Sequence, residues 1–185
     1  MKYYYDLMSQ PSRAVYIFLK KNNINFTDCP VALRRDHWYP SNPQKQAKVD
    51  EYMEWQHLNT RLNCAMYFQH KLLIPVMTQS PPNEKKVAQF QKRMEESLNQ
   101  IETIWLKDSN FIAGDSVTLA DLLAVCELQQ PSIVGYNIFE NRPNLTAWYN
   151  RVKEFLQPEL TEASTVVEKV KKMYTEGAEA PPSKL

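Results

Sequence analysis

The stretch that decides the fold is Gly114-Asp115-Ser116-Val117-Thr118-Leu119-Ala120-Asp121, continuing as Leu122-Leu123-Ala124-Val125-Cys126-Glu127-Leu128. Thr118 is placed to cap a helix. Asp121, at the third helical position, is placed to reach back to the cap amide and to meet the positive helix end. Val117, ahead of the cap, is positioned to staple onto Leu122. The helix that follows is nearly all apolar. That predicts a buried central helix whose end amides must be satisfied inside the protein. The role assigned to Thr118 and Asp121 is therefore structural.

Outward from this helix the pattern stays helical. Upstream, Val87, Phe90, Met94, Leu98, Ile101 and Trp105 recur at three- and four-residue steps and form one stripe, opened by Pro81-Pro82-Asn83. Before that, Val49, Tyr52, Met53, Trp55 and Gln56 begin a long amphipathic run to about residue 73, closed by Pro75. Downstream, the central helix is expected to stop before Pro131. Pro143 opens a helix with Leu145, Trp148, Val152 and Phe155 inward. Pro158 separates a last one carrying Leu160, Val166, Val167, Val170 and Met173.

The front of the chain differs. Residues 2–7 read as a tyrosine-rich strand, and Pro11 opens a helix over about 12–22 with Ala14, Val15, Phe18 and Leu19 on one face. Residues 26–33 read as a second strand, an edge one because of Pro30. A strand-helix-strand order implies parallel pairing. The polar, proline-punctuated segment 34–43 is the domain boundary. The predicted fold is thus mainly α: a partial β-α-β unit over residues 1–35, an all-helical domain over 36–175 and a flexible tail over 176–185. Two strands and one helix cannot bury their own apolar surface and need a packing partner.

Composition narrows the function. Hydrophobic residues make up 43% and charged residues 23%, which is globular. The formal net charge is +1 with both signs interspersed, which gives no footprint for nucleic acid or a membrane surface. No apolar run is long enough to span a bilayer, and Asp6, Ser9, Gln10, Ser12 and Arg13 interrupt any secretory signal. Cys29, Cys64 and Cys126 are scattered, which fits a reducing compartment, and His37, His57 and His70 share no ligand spacing with them. No metal site is expected. Glycine is absent from the first hundred residues, in keeping with long helices and few tight turns.

Three features bear on chemistry. Ser9-Gln10-Pro11-Ser12-Arg13 follows the first strand. It reads as an ordinary helix cap, or as a serine hydroxyl and backbone amides offered to an anion. Arg61 lies one turn beyond His57, where it is either an exposed salt-bridge residue or faces a cleft. Ser183-Lys184-Leu185 matches the peroxisomal import address, which a receptor reads on a free tail that Pro181-Pro182 would keep extended.

Taken together, the segments YYDLMSQPSRAVYIFLKKNNINF, DHWYP, VDEYMEWQH, GDSVTLADLLAVCEL and RPNLTAWYNRV resemble the glutathione transferases, most closely the theta class. The resemblance implies a thioredoxin-like N-terminal domain that binds glutathione and an all-helical C-terminal domain. It implies that Ser9 donates a hydrogen bond to the glutathione sulfur and favours the thiolate. It implies that Arg61 stands near the glutathione. It further implies small electrophiles as substrates, glutathione as co-substrate without a metal, a cytoplasmic location and a homodimer.

The chain departs from the family in one place. Between the second strand and DHWYP, family members carry two more strands, two helices, a cis-proline and an acidic-serine pair that grips the γ-glutamyl end. Here Val31-Ala32-Leu33-Arg34 runs almost directly into Asp36-His37-Trp38. Pro75 followed by Glu96-Ser97 imitates the missing order, but Glu96 and Ser97 lie inside a strongly periodic helix and are read as part of it. The final helical segment of longer theta members is also expected to be missing. Two readings follow: a glutathione transferase, or a non-catalytic helical binding or dimerisation variant that has lost glutathione binding.

Overall fold

Residues 2–5, 10–30 and 38–176 are described by the computed structural model. Strand β1 (Lys2–Tyr5) is followed by helix α1 (Gln10–Lys21) and strand β2 (Thr27–Pro30). The strands pair in parallel, Lys2 opposite Thr27 through Tyr5 opposite Pro30, as the β-α-β reading requires. The second strand begins at Thr27, one residue later than predicted, and the predicted strand residues 6–7 and 31–33 lie outside the described residues. Of the predicted apolar face of α1, Leu19 is buried and Phe18 is 59% exposed, while the side chains of Ala14 and Val15 lie outside the described set.

The helical part comprises α2 (Pro43–Gln56), α3 (Thr60–Phe68), α4 (Ile74–Thr78), α5 (Glu84–Gln100), α6 (Leu119–Ile133), α7 (Pro143–Phe155), α8 (Glu159–Ala163) and α9 (Thr165–Thr175). Asn42 starts α2 by accepting from the Gln44 and Lys45 amides, both at 3.1 Å, with Pro43 behind it. Asn83 does the same for α5 through the Lys86 amide. Helix α3 packs against both α5 and α6, and α9 packs against α6. Val87, Phe90, Met94, Leu98 and Ile101 form the buried stripe of α5 and its π-helical extension, Ile101–Trp105. Tyr52, Trp55 and Trp105 meet with ring centroids 5.1–5.6 Å apart, and Trp55 Nε1 donates to Gln100 Oε1 at 3.1 Å.

Proline does less to end helices than the sequence suggests. The long run breaks first at His57–Asn59, and it then continues past Pro75 to Thr78. Gln69–Leu73 is a π-helical stretch in which the Ile74 amide bonds to the Gln69 carbonyl, and this wider turn precedes the proline ring. Helix α6 likewise continues through Pro131. That residue sits in the last turn, and its carbonyl accepts from the Val134 and Tyr136 amides as the chain turns out. Gly135, at φ +78°, occupies the left-handed position that follows. The last predicted helix is two, α8 and α9. Between them buried Ser164 exchanges hydrogen bonds with Gln129 of α6. Val166 is exposed. Phe155 also faces outward, against Trp38, with ring centroids 6.0 Å apart.

Two buried acids hold the bundle. Thr118 and Asp121 form the expected capping box. The Asp121 carboxylate, fully buried, accepts from the Thr118 amide (2.8 Å) and hydroxyl (3.0 Å) on one oxygen. Its other oxygen accepts from the Ile112 amide (2.9 Å) and Trp148 Nε1 (2.8 Å). The first free amide of α6, at Leu119, donates to the Trp38 carbonyl at 2.8 Å, which ties the segment entering the helical domain to the central helix. Glu102 performs a similar task at a distance: its two oxygens accept from the Asn144 (3.0 Å) and Leu145 (2.8 Å) amides at the start of α7.

These geometries rank the caps. Asp121→Ala strands several buried donors at once and is expected to cost at least about 3 kcal/mol, whereas Thr118→Ala removes one cap contact and costs about 1 kcal/mol. Urea unfolding of both variants measures the order, and equal losses would contradict it. Glu102→Ala is expected to cost roughly 2 kcal/mol and Glu102→Gln, which keeps one acceptor, about half of that. Amide hydrogen exchange should quicken at Asn144 and Leu145 in both variants.

Candidate functional site

The first turn of α3 lies against the second half of α6, and there the chain gathers polar groups that its helices do not need for capping. Thr60 opens α3, is fully buried, and donates its hydroxyl to Glu127 Oε2 at 2.8 Å. Tyr52 Oη of α2, buried as well, is 3.5 Å from the same hydroxyl. The Thr60 hydroxyl has one proton and gives it to Glu127, so Tyr52 is the donor in that weaker contact. Arg61, next along α3, is exposed, and its positive charge acts on the Glu127 carboxyl.

The local electrostatics follow from burial. Glu127 is pushed up from the ordinary 4.5 to about 7, chiefly by burial, while the Thr60 hydrogen bond and the Arg61 charge pull it back. Folding therefore favours the neutral acid. The stability this group contributes is fully present below its unfolded value and is lost as pH rises through about 7. The Cys64 thiol, buried in the same layer, is held far above its usual range by burial and by the Glu127 charge, and so is a poor nucleophile near neutral pH. Partial desolvation and the Glu127 charge also push the Cys126 thiol upward, although that residue is exposed.

The predicted residues divide sharply. Thr118 and Asp121 come together as a cap. Arg61 stands on α3, separated from His57 by the break at His57–Asn59 that ends the first helix of the helical domain, and it follows Thr60, whose contact with Glu127 the sequence reading did not single out. The available signal was Glu127 itself, the one charged residue of the central helix after Asp121. Ser9 lies outside the described residues, as do Ser183, Lys184 and Leu185. Ser97 is buried inside α5, where it donates to the Arg93 carbonyl and accepts from Asn63 Nδ2, while Glu96 points to solvent. That pair is part of the bundle, as its periodicity indicates.

Other features lie elsewhere. A shallow polar cavity of about 250 Å³ between Leu106, Asp108, Asp115, Asn144 and Arg151 is lined by none of these groups. Among the described residues no group of three or more histidines, cysteines or acids is arranged to hold a metal. No helix described is long and apolar enough to cross a membrane.

Comparison with known proteins agrees with this architecture. The family model "Glutathione S-transferase, C-terminal domain" matches residues 65–154. Glutathione S-transferase theta-1 of Mus musculus is 34% identical over 218 residues, covering 92% of this chain and 90% of the relative. Theta-2 of the same species is 37% identical over 204 residues, covering 86% and 83%. Both aligned lengths exceed the 185 residues of this chain, so each relative has positions with no counterpart here. Among solved structures, human glutathione-S-transferase T1-1 in its apo form superposes with a TM-score of 0.72 at 31% identity, covering 98% of this chain and 93% of that one. Human glutathione transferase theta-2, solved in complex with glutathione and an unknown ligand, gives 0.72 at 32% identity with the same coverage. With a helical bundle organised around the Asp121 cap and theta-class likeness along nearly its whole length, this chain belongs to the glutathione S-transferase family, in its theta class.

Proposed function

We propose that this protein is a theta-class glutathione transferase that joins the sulfur of glutathione to small electrophiles. The observation that carries the reading is the length of the likeness: more than nine-tenths of the chain aligns with a theta-class transferase and covers nine-tenths of it. Ser9 is assigned the activating role. A free thiol titrates at about 8.5, so only a small fraction is ionised near neutral pH. A hydroxyl donating to sulfur favours the thiolate, and the positive end of α1 acts in the same sense. The thiol proton leaves to solvent. The thiolate then forms the new carbon–sulfur bond while the leaving group departs with its electron pair. Arg61 steadies a glutathione carboxylate or the thiolate.

The second reading, a non-catalytic helical variant, rests on the short front domain, in which two strands and one helix are described ahead of Trp38. Each hydrogen-bond partner lost to glutathione costs on the order of 1 kcal/mol, so the two readings predict affinities that differ by orders of magnitude. The remaining assignments are a homodimer, a cytoplasmic location and import into peroxisomes through Ser183-Lys184-Leu185.

Retention on immobilised glutathione and conjugation of a small electrophile are the expected results. Ser9→Ala should lower kcat/KM roughly 10- to 100-fold, the worth of one charge-assisted hydrogen bond. Arg61→Ala should raise KM for glutathione. No retention, together with residual activity unchanged in Ser9→Ala, would establish the non-catalytic reading. For the address, a fluorescent protein ending in residues 176–185 is expected to become punctate and to return to diffuse signal when Leu185 is removed.

A further inference from the structure

Residues 106–118 connect the π-helical extension of α5 to α6. Arg151 ties this loop to α7: its Nε and Nη2 both donate to the Asn110 carbonyl, at 3.2 and 2.7 Å. Between loop and helix lies the polar cavity of about 250 Å³. Its frame is held by the backbone. On the loop side, Asp121 accepts from the Ile112 amide, and Phe111 and Gly114 exchange backbone hydrogen bonds. On the α7 side, Glu102 accepts from the Asn144 amide. A cavity framed in this way keeps its shape before a ligand arrives, so little ordering entropy is lost on binding.

The charges on this cavity are of both signs. Lys107 and Arg151 line it with positive charge, Asp108 and Asp115 with negative. No ion pair joins them; among the described residues the ion pairs are Lys20–Asp28 and Lys172–Glu176. Opposite charges that share one small cavity without direct contact are spaced for a group lying between them. Arg151 is held in place by its bonds to Asn110 and by the Phe111 ring, whose centroid is 5.8 Å from the guanidinium carbon. Those bonds use Nε and one N–H of Nη2, which leaves the N–H groups of Nη1 and the second one on Nη2. A planar set of donors of this kind fits a carboxylate. Asp108 and Asp115 are exposed and enter none of the ion pairs. Asn144 donates through Nδ2 to the Glu102 carbonyl at 3.2 Å, so its Oδ1 remains as a further acceptor.

We propose that this cavity is a binding site for a small zwitterion of the α-amino acid class, with its carboxylate on Arg151 and its ammonium group on Asp108 and Asp115. Simple ions suit it less well. An anion on Arg151 also meets the two aspartates, and a cation on the aspartates also meets Arg151 and Lys107, so each gains from one side and is repelled from the other. A zwitterion gains from both. The size limits the ligand as well: about 250 Å³ lies below the roughly 300–1,000 Å³ typical of sites for drug-sized molecules. Neither Ser9 nor Arg61, the residues assigned to glutathione, lines the cavity, so the site stands apart from the transferase reading.

The test uses the full chain without glutathione. It is titrated separately with glycine, acetate and methylammonium chloride, and backbone amide shifts are followed by NMR. Ionic strength is held constant, because exposed charges are screened by salt. Glycine is expected to give saturable shifts at Asn110, Asp115 and Asn144, with a Kd at least roughly 10-fold below those of acetate and methylammonium. The double variant Asp108→Asn, Asp115→Asn should raise the Kd for glycine at least roughly 5-fold and leave acetate binding no weaker. Arg151→Leu should remove saturation by glycine, but it also removes the tie to Asn110. Arg151→Lys keeps the charge without the planar fork and, with thermal unfolding like that of the wild type, should still bind glycine more weakly. Shifts that do not saturate would overturn the proposal. Acetate binding as tightly as glycine would replace it with an anion site, and methylammonium doing so would replace it with a cation site. A wild-type Kd for glycine in the double aspartate variant, or in a folded Arg151→Lys variant, would also overturn it.

Discussion

One carboxylate sets the geometry of the helical domain. Asp121 gathers four donors from three parts of the chain: the amide of Ile112 in the loop before α6, the amide and hydroxyl of Thr118 at the α6 cap, and the indole of Trp148 in α7. Unpaired burial of a carboxylate costs several kcal/mol, so the arrangement holds only if the loop, the helix start and α7 arrive together. The same helix end takes the Trp38 carbonyl through the Leu119 amide. The point where the chain enters the helical domain is thereby fixed to the centre of that domain. Any site built between the front of the chain and α2 or α3 inherits its register from this contact.

Around that centre, polarity is placed where helices need it. Glu102 closes the start of α7 from the extension of α5, and buried Asn63 donates to Ser97 across the α3–α5 interface. Each of these groups trades a lost hydration shell for a short, well-aimed bond. Gln56 is the exception, with its side-chain oxygen buried and unbonded among the described residues while its nitrogen donates to the Met53 carbonyl. It sits at the end of α2, just before the break at His57–Asn59 that separates α2 from the Thr60–Glu127 contact.

The sequence showed most clearly what is local. Thr118 and Asp121 are three residues apart, so their reciprocal cap is visible as a pattern, and the Val87-to-Trp105 stripe is visible as a period. Glu102 and the α7 amides are more than forty residues apart, and nothing in the neighbourhood of either announces the other. The same holds for Thr60 and Glu127, 67 residues apart. The prolines misled for a related reason. Pro75 and Pro131 do remove a donor, but a π-helical turn before one and a helix end after the other absorb the loss, and neither device has a short sequence signature. Spacing alone puts Phe155 inward; in the structure it is exposed against Trp38, which lies on a different segment altogether. Ser9, the residue the family likeness puts at the chemistry, falls outside the described residues, so its assignment rests on the sequence.

The acids of the bundle also differ in how much of the fold depends on each. Asp121 and Glu102 are saturated by donors that the fold itself supplies, so changing either one perturbs the bundle before it perturbs a site. Glu127, half-buried, accepts among the described residues from a single hydroxyl, that of Thr60. Helix α6 carries both kinds of acid: Asp121 fixes its start to the loop before it and to α7, and Glu127, six residues on, joins its second half to the first turn of α3. A change at Asp121 is therefore felt at three parts of the chain at once, and a change at Glu127 at one.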